Sequence, residues 1–271
     1  MIRGAPAQRP ASLQSLPSLA KNGAACDKWA MIKGKQPDPS FLRKQLDIQT
    51  PIIGFYDAPD PALFEPLASP KERDCVFFFY PQWLEGRTLH ITKDRYGCGG
   101  AGHWMWGIAL RSRKEFLEFL VDEEGLKASH ALMGKWIDAS KPYQAEHPHL
   151  FLGPLKEKAW QHAKTVTFLV NPDQLSALAI GAQYHSAPDN PPPVIAPFGS
   201  GCSQLQPFQN LDIAQASIGA TDIAMRPHIP PDMLTLTVTK LMFRQLCELD
   251  EKSFLGKPFL RRLKKARSGK I

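Results

Sequence analysis

Three of the five cysteines lie in or beside sequence that is typical of loops, and thiolates are ligands that suit iron and zinc. Cys98 is surrounded by four glycines, Cys202 directly follows Gly201, and Cys75 precedes the apolar run at 76–80. Glycine lets the backbone approach a bulky ligand closely and leaves amide N–H groups to face sulfur or an anion. The pattern therefore predicts a metal site that consists of Cys75, Cys98 and Cys202.

An iron–sulfur cluster is the first interpretation of this three-cysteine site. Three thiolates can hold a [4Fe–4S] cluster while one iron stays open to a substrate or another ligand, because complete cysteinyl ligation uses four. Aromatic side chains near Cys75 and Cys98 in sequence would exclude water from such a cluster. We therefore expect redox or open-iron chemistry with a small-molecule substrate or redox partner that the sequence does not name.

Other interpretations of the same cysteines remain open at this point. Zinc would need the three thiolates plus His103 or His185 as a fourth, tetrahedral ligand. A reactive thiol is a further alternative, with Cys98 as the nucleophile and His103 as its base. In the remaining alternative the cysteines only pack, and the glycine-rich loops form the rim of a metal-free pocket for a small molecule or a protein.

Two further groups of residues were considered as binding sites. Arg226 is a candidate for binding an anion near Cys202, and an ion pair with Asp222 is its structural alternative. His147-Pro148-His149 has the spacing of a metal-binding pair, but we interpret it as a surface feature. The glycines at 97–102 match neither the dinucleotide-binding nor the phosphate-loop pattern, which disfavours nucleotide binding.

The net charge of +7 is concentrated at the C-terminus. The last sixteen residues, 256–271, contain seven basic residues and no acidic one, so the rest of the chain is neutral. A basic tail predicts weak contact with nucleic acid or an anionic surface, and a solvated terminus is the alternative.

The location of the protein is inferred from two absences in the sequence. No apolar run reaches the roughly 18 residues that a membrane span needs, and prolines interrupt the N-terminal segment where a signal peptide would be apolar. The sequence therefore predicts a protein that is not transmembrane and is cytoplasmic, where thiols stay reduced and are available to metals.

The chain length and the apolar patterning predict one α/β (or α+β) domain with a mixed sheet and flanking helices. We expect an extended N-terminal segment at 1–36, a single domain at 37–253 and a basic C-terminal tail at 254–271. Predicted strands are 51–56, 76–80, 88–91 and 165–170. Predicted helices begin at Ser40, Ser112, Asn171 and Pro230, the last ending near Glu251.

The cysteine loops and their flanking segments together resemble a known family. The motifs that carry the likeness are Ile52-Ile53-Gly54-Phe55, Asp74-Cys75-Val76, Tyr96-Gly97-Cys98-Gly99-Gly100-Ala101-Gly102, Val166 to Val170 with Asn171-Pro172, Gly199-Ser200-Gly201-Cys202, and Asp222 to Arg226 before Ile229-Pro230. This set is similar to the family called domain of unknown function 169, over roughly residues 40 to 250. The resemblance implies an architecture and a group of candidate residues, and it implies no reaction.

Overall fold

One mixed sheet organises the part of the chain that the computed structural model describes, namely residues 34–69, 75–95, 106–107, 112–140, 143–188 and 191–269. Within these ranges the sheet has eight strands in the order β2-β3-β4-β1-β5-β8-β7-β6. The strands are β1 (Ile53–Asp57), β2 (Leu67–Ala68), β3 (Thr88–Ile91), β4 (Leu150–Pro154), β5 (Ala163–Val170), β6 (Val194–Ile195), β7 (Ala216–Gly219) and β8 (Leu234–Thr239). The predicted α/β class with a mixed sheet and flanking helices is confirmed.

The helices of the described residues are mostly short. They are α1 (Ser40–Leu46), α2 (Tyr80–Leu84), α3 (Arg113–Glu118), α4 (His130–Ala139), α5 (Pro172–Gln183), α6 (Lys240–Cys247) and α7 (Pro258–Arg267). A π-helical turn, Phe119–Glu123, continues α3, and 3-10 turns at Val76–Phe79 and Ser203–Leu205 flank the two described cysteines of the predicted site. Most connections between the strands are therefore irregular, as the many prolines suggest.

The central strands bring four strand ends together at one end of the sheet. Strand β1 runs antiparallel to both β4 and β5, and β5 runs antiparallel to β8. As a result the last residue of β1, the first residues of β4 and β5 and the last residue of β8 are neighbours. Side chains that are far apart in sequence can therefore meet there.

Successive side chains along each strand point to opposite sides of the sheet, which gives the sheet two different faces. On one face, which we call the helix face, Tyr56, Phe168 and Val238 pack with residues of α1, α5 and α6. On the other face, which we call the loop face, the strand residues pack against irregular segments. The indole of Trp83 anchors one such segment, because it donates a hydrogen bond of 3.1 Å to the Leu152 carbonyl of β4.

Several predicted elements are confirmed at the positions where capping residues indicated them. The Ser112 hydroxyl accepts from the Glu115 amide, and the Glu115 carboxylate accepts from the Ser112 amide, which together form a capping box. Asn171 caps α5 in the same way through Gln174. The strands predicted at 51–56, 88–91 and 165–170 correspond to β1, β3 and β5.

Two predicted elements are wrong. The run at 76–80 was predicted to be a strand, but it forms a 3-10 turn that leads into α2, where Pro81 suits the first helical turn. The helix predicted from Pro230 to about Glu251 begins only at Lys240, because Leu234–Thr239 forms strand β8. In β8 threonine or valine occupies four of the six positions, and β-branched residues favour a strand.

Residues 34–271 form one compact unit, which includes the segment predicted to be the basic tail. In that segment Leu255 is buried in the helix-face core and Leu260 packs against it. Arg267 of α7 donates to both carboxylate oxygens of Asp173, at 2.6 and 3.0 Å. Most of the predicted N-terminal extension, residues 1–33, lies outside the described residues.

Candidate functional site

Cys202 lies in a buried loop on the loop face of the sheet. It directly precedes the 3-10 turn Ser203–Leu205, and its residue is 2% exposed. The Ser200 hydroxyl oxygen is 3.2 Å from the Cys202 sulfur, a hydrogen bond in which either atom can donate. The loop thus provides a polar neighbour for the sulfur.

Gly201 is required in this loop because its neighbours approach closely. A Cβ atom at Gly201 would lie 2.6 Å from Cγ of Met225 and 3.1 Å from Cε2 of Phe77. The Gly201 amide donates a 2.7 Å hydrogen bond to the Asp222 carboxylate. This amide, which the sequence suggested as a donor to sulfur or an anion, therefore has a structural partner.

Cys75 belongs to the same side of the sheet. It precedes the 3-10 turn of Phe77, whose ring would lie 3.1 Å from a Cβ atom at Gly201, and it packs against the loop-face core in which Cys202 is buried. Of the three predicted metal ligands, Cys202 is therefore buried in the loop-face core and the partly buried Cys75 packs against this core, although 126 residues separate them in the sequence.

Cys98, the third predicted ligand, lies outside the described residues. Trp106, eight positions later in sequence, is fully buried in the loop-face core. Its ring lies 5.1 Å from that of Phe55, which in turn lies 5.8 Å from that of Tyr143. Trp106 thus belongs to the cluster that contains Cys202.

The two histidines considered as a fourth zinc ligand differ in position. His185 follows α5, which packs on the helix face, and its side chain is exposed. It is thus associated with the face opposite to Cys202. His103 lies outside the described residues, so the zinc alternative depends on that residue.

Arg226, the candidate for anion binding, makes its described contacts with backbone carbonyl groups. Its guanidinium donates to the carbonyls of Ala220, Pro230, Pro231 and Met233. Asp222, its suggested ion-pair partner, accepts from the amides of Gly201 and Ala224. Arg226 thereby closes the turn between β7 and β8, and its binding of an anion stays a prediction.

A second group of polar residues, which the sequence analysis missed, surrounds Asp57 at the end of β1. Asp57 is 1% exposed, and its carboxylate accepts from the amides of Glu146 and His147 at 2.7 and 3.0 Å. It also accepts from the Tyr143 hydroxyl and lies 2.8 Å from Nδ1 of His147. Burial, followed by the hydrogen bond to Asp57, raises the pKa of the Tyr143 hydroxyl, which therefore remains a donor.

The other histidine of the H-x-H motif is also not a simple surface residue. Nδ1 of His149 lies 3.1 Å from Nε2 of His90, and the His90 ring stacks on Phe151 with centroids 4.8 Å apart. Burial, and then the charges of His149 and Arg95, lower the pKa of His90. The only sequence cue to these contacts was the H-x-H spacing itself, since Asp57 and His90 lie far away in the chain.

A small cleft adjoins the loop that carries Cys202. It has a volume of about 180 Å³ and is lined by Trp136, Phe198, Ser203 and Gln206, among others. The rings of Trp136 and Phe198 meet edge to face at 4.8 Å, and the Lys127 ammonium lies 4.1 Å from the Phe198 ring centre. This cleft is smaller than the roughly 300–1,000 Å³ of most small-molecule sites.

The fold and these sites define a mixed α/β protein that buries cysteine on the loop-covered face of its sheet. The chain belongs to the family described as domain of unknown function 169 (uncharacterised ArCR), which matches residues 42–248. The resemblance found in the sequence is thus confirmed. No curated protein and no solved structure matches the chain. In the described ranges no helix has both the length and the apolar character that a membrane crossing requires.

Proposed function

We propose that the protein binds an iron–sulfur cluster through Cys75, Cys98 and Cys202, and that it uses this cluster for redox or open-iron chemistry. The observation that carries the proposal is the shared environment of Cys75 and Cys202, since Cys75 packs against the loop-face core in which Cys202 is buried. Trp106, eight positions after Cys98 in the sequence, is buried in this core. Three thiolates are the donor set that an incompletely ligated [4Fe–4S] cluster needs.

The surroundings of Cys202 agree with such a group in two respects. The core around it is apolar, and exclusion of water helps to set the potential of a cluster. The Ser200 hydroxyl, at 3.2 Å, is positioned to donate a hydrogen bond to a Cys202 thiolate. The Gly201 amide supports the site only indirectly, since its bond to Asp222 fixes the loop.

When bound, the cluster would supply electron transfer or an open iron as a Lewis acid. The residues of this chain would hold it, exclude water from it and fix the Cys202 loop. A small-molecule substrate or a redox partner would complete the reaction. A cytoplasmic location is part of the proposal, because that compartment keeps thiols reduced.

The proposal predicts iron and acid-labile sulfide in the full-length protein when it is purified without oxygen. Both should be close to stoichiometric in the wild type and nearly absent in Cys98→Ser and Cys202→Ser. Iron analysis, sulfide analysis and visible absorption measure this directly. Circular dichroism of each variant separates loss of the cluster from loss of the fold.

Cys247→Ser is the matched control for this experiment. Cys247 ends α6 and packs on the helix face, and burial raises the pKa of its thiol, so it is a poor metal ligand. This variant should keep all the iron. A colourless, iron-free wild type, or folded Cys202→Ser protein with unchanged iron, would contradict the proposal, and zinc without sulfide would support the Cys₃His alternative.

A metal-free binding module is the second candidate function, and the cleft beside Ser203 is the observation that favours it. In this case the glycine-rich loops would form the rim of a pocket for a small molecule or a protein. The same metal analysis distinguishes the two functions, because a metal-free binding module would be colourless. In that case Cys98→Ser would change neither the fold nor the metal content of the protein.

Weak contact with nucleic acid or an anionic surface through the basic C-terminal segment is also part of the proposal. Basic residues of α7, such as Arg261 and Lys265, are exposed, which supports it. Affinity for single-stranded or duplex nucleic acid should fall as salt rises and should disappear when residues 256–271 are deleted. Binding that survives this deletion would assign the contact to another surface.

A further inference from the structure

Basic side chains from strand β5, the start of α6, a 3-10 turn and a loop come together at the end of the central sheet. The register pairs Tyr56 with Ala163 and Thr165 with Thr239. Continued by one residue, this register places Lys164 opposite Lys240 and His162 beside the end of β1. With Asp57 and His147, these residues form what we call the sheet-end cluster, which consists of Asp57, His147, His162, Lys164 and Lys240.

Hydrogen bonds fix the orientation of the cluster. Asp57 accepts from both the backbone amide and the ring Nδ1 of His147, so the imidazole cannot rotate away without losing a buried partner. Within the described ranges Nε2 of His147 has no hydrogen-bond partner, and the side chain is 30% exposed. The Asp57 contact therefore leaves Nε2 as the ring nitrogen for a ligand.

The cationic groups of the cluster are close enough to repel one another. Burial, and then the charges of His147, Lys164 and Lys240, lower the pKa of His162. Burial, and then Arg244 and Lys164, lower the pKa of Lys240 to about 8. Asp57 acts on the pKa of His162 in the opposite direction, so the cluster contains charges of both signs.

Both carboxylates of this region already have partners. Asp57 already accepts four hydrogen bonds, which use its oxygen lone pairs. Glu146 is exposed and pairs with Lys164 alone, with Oε1 and Nζ 2.9 Å apart. An incoming anion could therefore displace Glu146 from Lys164 without uncovering a buried charge.

A divalent cation is the competing ligand for this region. Ligand atoms of Asp57, Glu146 and His147 lie within 4.8 Å of one another. A cation there would face the N–H and O–H donors that point at Asp57, and it would lie near the Lys164 ammonium. Both effects disfavour a cation and favour an anion.

We propose that the sheet-end cluster binds an oxyanion group of a small-molecule ligand, such as a phosphoryl or carboxylate group. Lys164 and His147 contact the anion, Lys240 adds positive charge beside it, and Asp57 acts as a positioning residue for the His147 ring. This site is separate from the three cysteines, and it stands whether or not a metal binds to them.

Titration of the full-length protein with sulfate, followed by NMR of the histidine ring resonances, tests the proposal. Sulfate is a suitable probe because its charge is constant around neutral pH, and chloride can hold the ionic strength constant. The His147 and His162 resonances should shift in a saturable way, while those of the exposed His185 should not. A parallel titration with acetate determines whether the site prefers a tetrahedral or a carboxylate anion.

Two variants should change the affinity in opposite directions. Lys164→Gln should weaken sulfate binding by about fivefold, since it removes one favourable charge contact. Glu146→Gln should tighten it by about twofold, because a competing carboxylate is lost. The exposed pair Lys114 and Glu118 provides matched controls, and Lys114→Gln and Glu118→Gln should leave the affinity unchanged.

The same variants distinguish the anion from the cation. If the cluster held a metal, Glu146→Gln would weaken binding in a parallel zinc titration, and sulfate would not shift the ring resonances. Either the absence of a saturable shift at His147 and His162, or folded Lys164→Gln and Glu146→Gln proteins that both bind sulfate as the wild type does, would overturn the proposal.

Discussion

Replacement of Asp57 by alanine is expected to lower the free energy of unfolding by about 3–5 kcal/mol, as for the loss of one partner from a buried, hydrogen-bonded charge pair. The variant leaves the Tyr143 hydroxyl and the amides of Glu146 and His147 without their acceptor. Tyr143 and the two amides are partly buried, so water can replace the carboxylate only in part. Denaturant-induced unfolding, monitored by tryptophan fluorescence, measures the loss.

Asp122→Ala is the control for this prediction. Asp122 also pairs with a histidine, His130, with Oδ2 and Nε2 2.9 Å apart, but both side chains are more than half exposed. Its replacement should change the stability by less than about 0.5 kcal/mol. If Asp57→Ala were as mild as Asp122→Ala, Asp57 would not hold the 143–147 segment in the way described.

Replacement of Phe151 by alanine should also destabilise the protein by about 3–5 kcal/mol, the usual range for a buried phenylalanine. Phe151 is fully buried on the helix face of β4. It stacks on Phe64 with ring centroids 4.0 Å apart and on His90 with centroids 4.8 Å apart. Alanine would leave a cavity between the ring of Phe64, in the 3-10 turn Pro61–Phe64, and the ring of His90 in β3.

Two further variants make the Phe151 prediction specific. Phe151→Leu keeps most of the volume and should cost less than about 1.5–2 kcal/mol. Phe259→Ala removes a ring that is 76% exposed, so it should have almost no effect on the free energy of unfolding. If Phe151→Ala and Phe259→Ala lowered the free energy of unfolding by the same amount, the aromatic stack would contribute nothing to stability.

The sequence predicted elements correctly where local chemistry determines them. The caps at Ser112 and Asn171 and the apolar run of β5 carry their signals within a few residues. Strand β8 was misassigned because Leu234, Val238 and Leu241 also fit one face of a helix. The alternation of threonine with leucine or valine in Leu234–Thr239 was the competing signal, and here the period of two prevailed.

The candidate sites were only partly predictable. Residue type suggested Cys75 and Cys202 as ligands, and in the structure Cys202 is buried in the loop-face core while the partly buried Cys75 packs against it; that they bind a metal stays a prediction. The contacts of Asp57 could not be found in this way, because Tyr143 and His147 lie 86 and 90 residues further along the chain. Such contacts follow from the antiparallel pairing of β1 with β4, which single-sequence patterns do not specify.

The two outermost strands of the sheet, β2 and β6, contain only two residues each and pair in parallel with their neighbours. A strand of this length offers few unpaired backbone groups to another molecule. Within the described part of the chain, the long strands that carry hydrophobic side chains are thus kept away from the margins, where intermolecular strand pairing leads to aggregation.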